Sequence, residues 1–357
     1  MCVNQPEAWW DNPDKHAMCE DNQAALSFFK KIAQTYPCRV IDRSSKGHGW
    51  QTGKTGIGWA RKVLWDAIVL EADDPDIVVS LDADTFYPPE YATSLVDRFQ
   101  HHAQATGLSV PYYHPLTEQE PLNRAILRYE LYMRVYLLSV MDIGTPFVFT
   151  ALGSAMAFPV WAYKKIGGVC AKPSGEDFYL LQKLRKIGPV YTGCKTHAWP
   201  QARLSDRVGF GTGPALIKGL SGDWSSYPFY SQDTWDAVAK TVALFPDLFT
   251  RDIVTPMTVQ TYWQSMRKHY ATQAHFVRAC HEHLDGLRIL QYLKSHHDPK
   301  IHNNEAVFED WLTRRQCLYP CPDNWTFDTV DIRWLSAVRE WVVCLENQKR
   351  QDYDNAL

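Results

Sequence analysis

Ile-Val-Val-Ser-Leu-Asp-Ala-Asp-Thr, residues 77–85, is an apolar, β-branched run that stops at two aspartates, Asp82 and Asp84. The run predicts a buried strand with acidic side chains at its carboxyl end. Because side chains alternate along a strand, the two acids project to the same side and can hold a hard divalent cation. Ligands of open α/β sheets bind beyond the carboxyl ends of the strands, so the stretch predicts a metal-assisted site for a phosphorylated compound.

The Asp-x-Asp pattern alone is weak evidence, because it occurs three times in the chain. Asp74 and Asp76 flank a proline in a polar turn, and Asp352 and Asp354 lie in a polar C-terminal tail, where solvated charge is expected. Only the copy at residues 82–84 follows an apolar strand. The alternative for that copy is a purely structural role, capping the turn that follows.

Composition indicates an ordinary globular protein of one large core with an extension, or of two domains. The formal net charge of -3 over 357 residues gives no general attraction to nucleic acid. Nine cysteines without a Cys-x-x-Cys pair favour a reduced, cytoplasmic compartment, and no leader segment is evident. The most apolar stretch, residues 131–158, is interrupted by charged residues, glycine and proline, so no transmembrane segment is predicted, while peripheral contact with the inner face of a membrane stays open.

The first two thirds of the chain alternate short apolar runs with amphipathic stretches, which predicts an α/β fold with a mostly parallel sheet flanked by helices. The predicted strands are Arg39–Ile41, Ile77–Leu81, Gly107–Pro111, Ala155–Phe158 and Pro189–Thr192, and the predicted helices are Ala24–Thr35, Gly58–Ala72 and Asp177–Ile187. Beyond about residue 214 helical patterns take over. We therefore predict a catalytic α/β domain over residues 1–215 and a helical C-terminal region over residues 216–357.

Three further motifs follow the paired acids. Residues 153–158, Gly-Ser-Ala-Met-Ala-Phe, lead to Ile166-Gly167-Gly168, where glycines permit a tight turn and close backbone approach. Gly175-Glu176-Asp177 opens an amphipathic helix, where the helix dipole favours carboxylates; by itself this is also an ordinary acidic N-cap. Residues 203–213 form a glycine-rich segment with two arginines, which suits either a surface loop or a lid that contacts a diphosphate.

Taken together and in this order, these motifs resemble the family 2 glycosyltransferases of GT-A fold. In that family a metal motif ends a strand, a Gly-Ser-type segment ending in Gly-Gly follows, and a Glu-Asp pair opens the next helix. The resemblance covers roughly residues 1–215, and the segment Ser-Asp-Arg-Val-Gly-Phe-Gly-Thr-Gly, residues 205–213, is similar to a soluble bacterial branch without transmembrane helices. It implies a GT-A fold, a Rossmann-like nucleotide-diphospho-sugar transferase sheet.

The resemblance also implies roles for individual residues. Asp84 would bind Mn²⁺ or Mg²⁺, Asp82 would contact the nucleotide ribose or the metal shell, and Asp177 would be the general base. Glu176 would position the acceptor or Asp177. The remaining implied contacts are Arg61, Arg203 and Arg207 to the nucleotide or diphosphate, and His197 as a further metal ligand.

The implied activity is metal-dependent, inverting transfer of a sugar, of the hexosyltransferase type. The donor would be a nucleotide-diphosphate sugar, and the acceptor a saccharide or lipid-linked hydroxyl in envelope polysaccharide or glycolipid synthesis. Two features depart from the family: the Gln-x-x-Arg-Trp motif of processive synthases is absent, since Gln182 to Arg185 is followed by Lys186, and the usual first strand and helix are expected to be missing.

Two other functions stay open at this stage. A phosphatase of the haloacid dehalogenase class also carries acids after an apolar strand, but its pattern needs Thr or Val where Phe86 stands. A truncated transferase that binds a nucleotide sugar or carbohydrate without turnover is the other alternative.

Overall fold

The protein has a mixed α/β structure in a computed structural model that describes residues 1–51, 54, 56–206, 209, 211–257 and 260–357, without the side chains of Gln260 and Thr261. The strands of these described residues are β1 Cys2–Asn4, β2 Ile41–Arg43, β3 Ile77–Ser80, β4 Thr85–Phe86, β5 Gly107–Ser109, β6 Met156–Pro159, β7 Val190–Tyr191 and β8 Trp199–Pro200.

The helices carry most of the structure in the same described ranges. They are α1 His16–Ile32, α2 Ile57–Val69, α3 Tyr91–His101, α4 Glu120–Asp142, α5 Val160–Lys165, α6 Glu176–Ile187, α7 Thr212–Leu220, α8 Gln232–Ala243, α9 Gln260–Arg267, α10 Gln273–His283, α11 Gly286–Ser295, α12 Asn304–Arg314 and α13 Ile332–Asn355. Short 3₁₀ turns occupy Glu7–Asp11, Pro13–Lys15 and Asp247–Phe249.

The central sheet has four strands in the order β3-β6-β5-β7. Strand β6 runs antiparallel to both of its neighbours, and the one parallel pairing described within this sheet is between β5 and β7. The mostly parallel sheet expected from the sequence is therefore not confirmed. The reason is topological: after β5 the chain passes through the long helix α4 and re-enters the sheet at the same end at which β5 left it, so β6 runs in the opposite direction.

Two smaller sheets extend this core. Strands β1 and β2 pair in parallel, and β4 pairs antiparallel with β8 through Thr85 with Pro200 and Phe86 with Trp199. The second pairing has a functional consequence. It holds the segment after β8 alongside Asp82 and Asp84, which lie between β3 and β4.

The predicted strand before the paired acids is confirmed at Ile77–Ser80, with Val78 and Ser80 buried. Each other predicted strand lies within three residues of an observed one. Helix α6 buries Leu180, Leu181 and Leu184 against the sheet. Burying a leucine contributes about 2 kcal/mol, so this stripe fixes the orientation of α6 and hence of the acids in its first turn.

A buried ion network joins α4 to the last helix, α13. Arg134 of α4 pairs with Glu130 and with Glu346, and Glu346 also pairs with Arg350. Asp354 accepts hydrogen bonds from the backbone N–H groups of Thr192 (2.9 Å) and Gly193 (2.7 Å), just beyond β7.

The expectation of solvated charge at Asp352 and Asp354 is therefore wrong for Asp354, which is 3% exposed. The reason is tertiary: the helix turns Asp354 onto the unpaired backbone donors at the end of a strand. Sequence pattern cannot reveal such partners.

All strands of the described residues end by residue 200, and from Thr212 onwards the described secondary structure is helical. The division into domains at residue 215 stays a prediction, since α13 packs against α4 of the first region. Among the helices of the described ranges, none has the length and apolar character needed to cross a membrane.

Candidate active site

Asp82 and Asp84 follow β3 directly, as the sequence predicts, and about one third of each side chain is exposed. The backbone N–H of Asp82 donates to the Tyr87 hydroxyl (3.0 Å), which donates to the carbonyl of Ser154 (3.0 Å). The turn that carries the acids is thereby tied to the segment that precedes β6. Both carboxylates remain partly open to solvent and to a ligand.

Arg61 of α2 connects the strand-end acid to the acids that open α6. Its Nη2 donates to both carboxylate oxygens of Asp82 (2.8 and 3.0 Å), and its Nη1 donates to Oε1 of Glu176. Burial opposes the charged form of Arg61, but the carboxylates of Asp82 and Glu176 outweigh it and raise its pKa. Asp82, Arg61 and Glu176 thus form one charged cluster, although they lie on the turn after β3, on α2 and on α6.

Two glycines allow this cluster to form. A Cβ atom added to Gly153 would lie 1.9 Å from Nη1 of Arg61, so the guanidinium rests directly against the backbone of the Gly-Ser segment. At Gly58 a Cβ would lie 2.1 Å from the carbonyl oxygen of Lys172 and 3.2 Å from Cβ of Glu176. Close approach of α2 to the start of α6 therefore requires glycine at position 58.

Asp177 stands next to Glu176 in the first turn of α6 and is partly buried. Its Oδ1 accepts a hydrogen bond from the N–H of Phe178 (2.8 Å), which orients the carboxylate. Burial, followed by the neighbouring charge of Glu176, raises the pKa of Asp177 to about 6. The charge of Asp82 raises it in the same sense, so the strand-end acid and the helix-opening acid share one electrostatic environment.

Asp84 belongs to a second ion pair. Its Oδ2 accepts a hydrogen bond from Nε of Arg203 (2.5 Å), and its carbonyl accepts one from the N–H of Gln201 (3.0 Å). The pairing of β4 with β8 places this segment beside the acids. Two fifths of the Arg203 side chain is exposed, and its pairing with Asp84 was not predicted from the sequence; its contact with a diphosphate stays a prediction.

The remaining predicted residues lie elsewhere or beyond the described ranges. Arg207 lies outside the described residues. His197 lies before β8 and has Asn347 and the α4–α13 ion network as its neighbours; burial lowers its pKa. Within the described residues no group of three or more His, Cys, Asp or Glu side chains is arranged to hold a metal ion.

The donor set nevertheless fits Mg²⁺ or Mn²⁺. Mg²⁺ is usually held by one or two carboxylates together with substrate phosphates, and Asp82 and Asp84 offer two partly exposed carboxylates. Close by, Oε2 of Glu176 is a buried oxygen without a hydrogen-bond partner in the described structure. The cluster therefore has more oxygen acceptors than its own donors occupy.

Two tyrosines near these acids were not predicted. Tyr87 supports the backbone of Asp82, as described above. Tyr129 of α4 lies close enough to Asp177 for the carboxylate charge to contribute to its raised pKa, which burial dominates. A tyrosine five residues after Asp82 could have been suspected, but nothing in the sequence of α4 distinguishes Tyr129 from the other buried tyrosines.

No model of a known protein family matches the chain, and no curated protein sequence matches it. The resemblance to family 2 glycosyltransferases therefore stays a prediction from the order of the sequence motifs.

Proposed function

We propose that this protein is a metal-dependent, inverting glycosyltransferase that moves a sugar from a nucleotide-diphosphate sugar to a hydroxyl group of a saccharide or lipid-linked acceptor. One observation carries the proposal. Arg61 joins Asp82, at the end of β3, to Glu176 at the start of α6, and so brings the two acidic motifs of the expected order into one cluster.

Asp177 is the general base in this proposal. Its pKa of about 6 leaves it largely ionised at neutral pH, yet makes it a stronger base than an ordinary aspartate. One oxygen is held by the N–H of Phe178, and the carboxylate takes the proton from the acceptor hydroxyl as that oxygen attacks the anomeric carbon. Attack on the face opposite the departing diphosphate inverts the configuration of the sugar.

The leaving diphosphate would be bound by a metal ion that the acids after β3 hold, and by Arg203. Asp84 and Asp82 would hold Mn²⁺ or Mg²⁺, which supplies positive charge for the diphosphate oxygens. Exposed ion pairs contribute only about 0–1 kcal/mol, so Arg203 can leave Asp84 and donate to a diphosphate at little cost. A planar guanidinium suits such bidentate contacts.

Glu176 acts as a positioning residue in this scheme. Its side chain is 1% exposed and pairs with Arg61, so it does not meet an acceptor directly. Its charge instead keeps Arg61 in place. Burial is the main cause of the raised pKa of Asp177, and the charge of Glu176 is the second.

A nucleotide-sugar-binding protein without turnover is the second candidate. The observation that favours it is that both strand-end acids are paired with arginines, Asp82 with Arg61 and Asp84 with Arg203. A protein that only binds would retain both ion pairs when the ligand is bound. The ligand would then stabilise the protein against unfolding, and no product would form.

The deciding experiment is a panel of nucleotide sugars incubated with the full chain in Mn²⁺, in Mg²⁺ and in EDTA. We expect at least one donor to release nucleoside diphosphate with either metal and none to do so in EDTA. Metal-dependent thermal stabilisation by a donor, with no diphosphate released in the presence of varied saccharide acceptors, would favour the binding protein instead.

A further inference from the structure

Arg128 differs from the other buried arginines of the described residues. Five arginine side chains are buried there: Arg61, Arg128, Arg134, Arg339 and Arg350. Four of the five pair with carboxylates. Within the described part of the chain Arg128 pairs with none, although only 1% of it is exposed.

The guanidinium of Arg128 has one protein acceptor and one vacant donor. Its Nη2 donates to the carbonyl of Tyr227 (3.0 Å), whereas Nη1 has no hydrogen-bond partner among the described residues. Aromatic rings surround it, with centroids 5.0 Å (Trp224), 4.3 Å (Phe229) and 4.7 Å (Phe327) from the guanidinium carbon. Burial lowers the pKa of Arg128 to about 9, and the carboxylates of Glu305 and Asp328 offset only part of that effect.

An open pocket of about 220 Å³ lies against this side chain, between the start of α4, the end of α7 and the turn at residues 327–328. Arg124, Arg128, Trp224, Leu220 and Phe327 contribute to its lining.

Two acids also line this pocket, and both are exposed at its rim. Glu120 is occupied by Arg124 (2.6 Å), which leaves Asp328 as the remaining acid. The buried wall of the pocket therefore carries a positive charge that forms no ion pair among the described residues and that Glu305 and Asp328 offset only in part.

We propose that Arg128 is the recognition residue of a pocket for an oxyanion, a carboxylate or a phosphate, carried by a small ligand. A buried cation whose charge is only partly offset is unfavourable, and an incoming anion supplies both a directly paired negative charge and an acceptor for Nη1. Arginine is suited to these groups because its planar donors match their oxygens. This pocket goes beyond the proposed sugar transfer and stands without it.

The pocket is linked to the proposed active site through Tyr227. Its carbonyl accepts from Arg128, its hydroxyl lies 3.4 Å from the N–H of Gly211 in the glycine-rich segment, and its ring meets that of Tyr129 edge-on at 5.0 Å. Tyr129 in turn lies in the field of Asp177. Arg128 and the proposed base are thereby connected through two tyrosines, Tyr227 and Tyr129.

The test is direct binding to the full chain, by calorimetry and thermal unfolding, at constant ionic strength set with sodium chloride. The probes are inorganic phosphate, methyl glucuronide and the uncharged methyl glucoside. We expect phosphate or methyl glucuronide to bind, with methyl glucoside at least about tenfold weaker, the value of one charged hydrogen bond. A response to phosphate alone identifies a phosphate ligand, and a response to the glucuronide identifies an acidic saccharide.

Variants locate the binding. Arg128→Met should weaken it at least about tenfold. The control is Arg315→Gln, since Arg315 also packs on a tryptophan, with its guanidinium carbon 4.5 Å from the ring centroid of Trp311. This change should leave anion binding unchanged, because Arg315 lies outside the pocket. If Arg128→Met fails to fold, Leu220→Trp provides a second test. Leu220 is exposed at the pocket, so the larger ring should fill the pocket and weaken anion binding.

Two results would overturn the proposal. One is equal affinity for the glucuronide and the glucoside together with no response to phosphate. The other is anion binding that persists in both Arg128→Met and Leu220→Trp. If anion binding persists in both of these variants but is lost in Arg203→Ala, the anion binds at the proposed diphosphate site. That result would contradict the Arg128 pocket and would leave the proposed function unaffected.

Discussion

Arg61 and Glu176 are 115 residues apart in the sequence and form a buried ion pair, with 8% and 1% of their side chains exposed. The pair joins α2 to the first turn of α6. Removing one partner from such a pair leaves an uncompensated charge in a poorly hydrated environment, which is far more costly than losing a surface pair.

Arg61→Met should therefore lower the free energy of unfolding by about 3–5 kcal/mol, because Glu176 is left buried and unpaired. Urea unfolding of the wild type and the variant measures the difference. The matched control is Arg39→Met, which breaks the exposed pair with Glu71 and should cost about 0–1 kcal/mol. Equal losses in the two variants would show that the Arg61 cluster does not organise the fold.

The raised pKa of Asp177 predicts a pH-dependent stability. An acid whose pKa is about 6 in the folded protein and 3.8 ordinarily binds its proton more tightly when folded, so the stability it contributes is lost as pH rises between these values. Asp177→Asn removes this loss. We expect the variant to match the wild type near pH 4 and to exceed it by on the order of 1–2 kcal/mol above pH 6.

Urea unfolding of both proteins across this pH range checks that expectation. A stability difference that stays constant from pH 4 to pH 8 would mean that the carboxyl group of Asp177 titrates as in the unfolded chain.

Turnover should depend on the same carboxylate. Asp177→Asn should reduce the transfer rate by about two to four orders of magnitude while the donor still binds, the usual effect of losing a general base. In the wild type, kcat/KM should rise with pH to a plateau above about 6, where Asp177 is ionised. Steady-state kinetics and donor titration separate the two effects, with Asp73→Asn, an exposed turn residue, as control. Undiminished turnover in Asp177→Asn would exclude it as the base.

Asp84→Ala should abolish the stabilisation that a nucleoside diphosphate gives only in the presence of Mn²⁺ or Mg²⁺, because a hard cation would lose one of two carboxylate ligands. Thermal unfolding with and without metal measures this. Asp352→Ala is the matched control, since it changes another Asp-x-Asp copy on an exposed helix face. Stabilisation that survives in Asp84→Ala would place the metal elsewhere.

The sequence predicted the elements of this site better than their contacts. The strand at Ile77–Ser80 and the helix that begins at Glu176 were predictable, because an apolar β-branched run and a periodic leucine stripe are local signals. The direction of β6 was not, since nothing within a four-residue strand tells from which end the chain enters a sheet.

The ion pairs were likewise not predictable in detail. Arg61 was expected near the nucleotide, and the structure pairs it with Asp82 and Glu176. Which carboxylate an arginine pairs with depends on how α2 and α6 approach each other. That approach needs the space left by Gly58 and Gly153, and the sequence does not show which residues fill this space. Arg128 gave no signal at all, since a buried arginine among aromatic residues looks like any other residue of an amphipathic helix.

The contacts of α13 have a practical consequence for experiments that dissect this protein. A fragment that stops at residue 215 would lack Glu346 and Asp354, which leaves Arg134 with a single carboxylate and the N–H groups after β7 without acceptors. We expect such a fragment to be recovered misfolded or aggregated. Crystallisation and assay should therefore use protein that retains the last helix, and purification tags should extend beyond residue 357 instead of replacing its final turn.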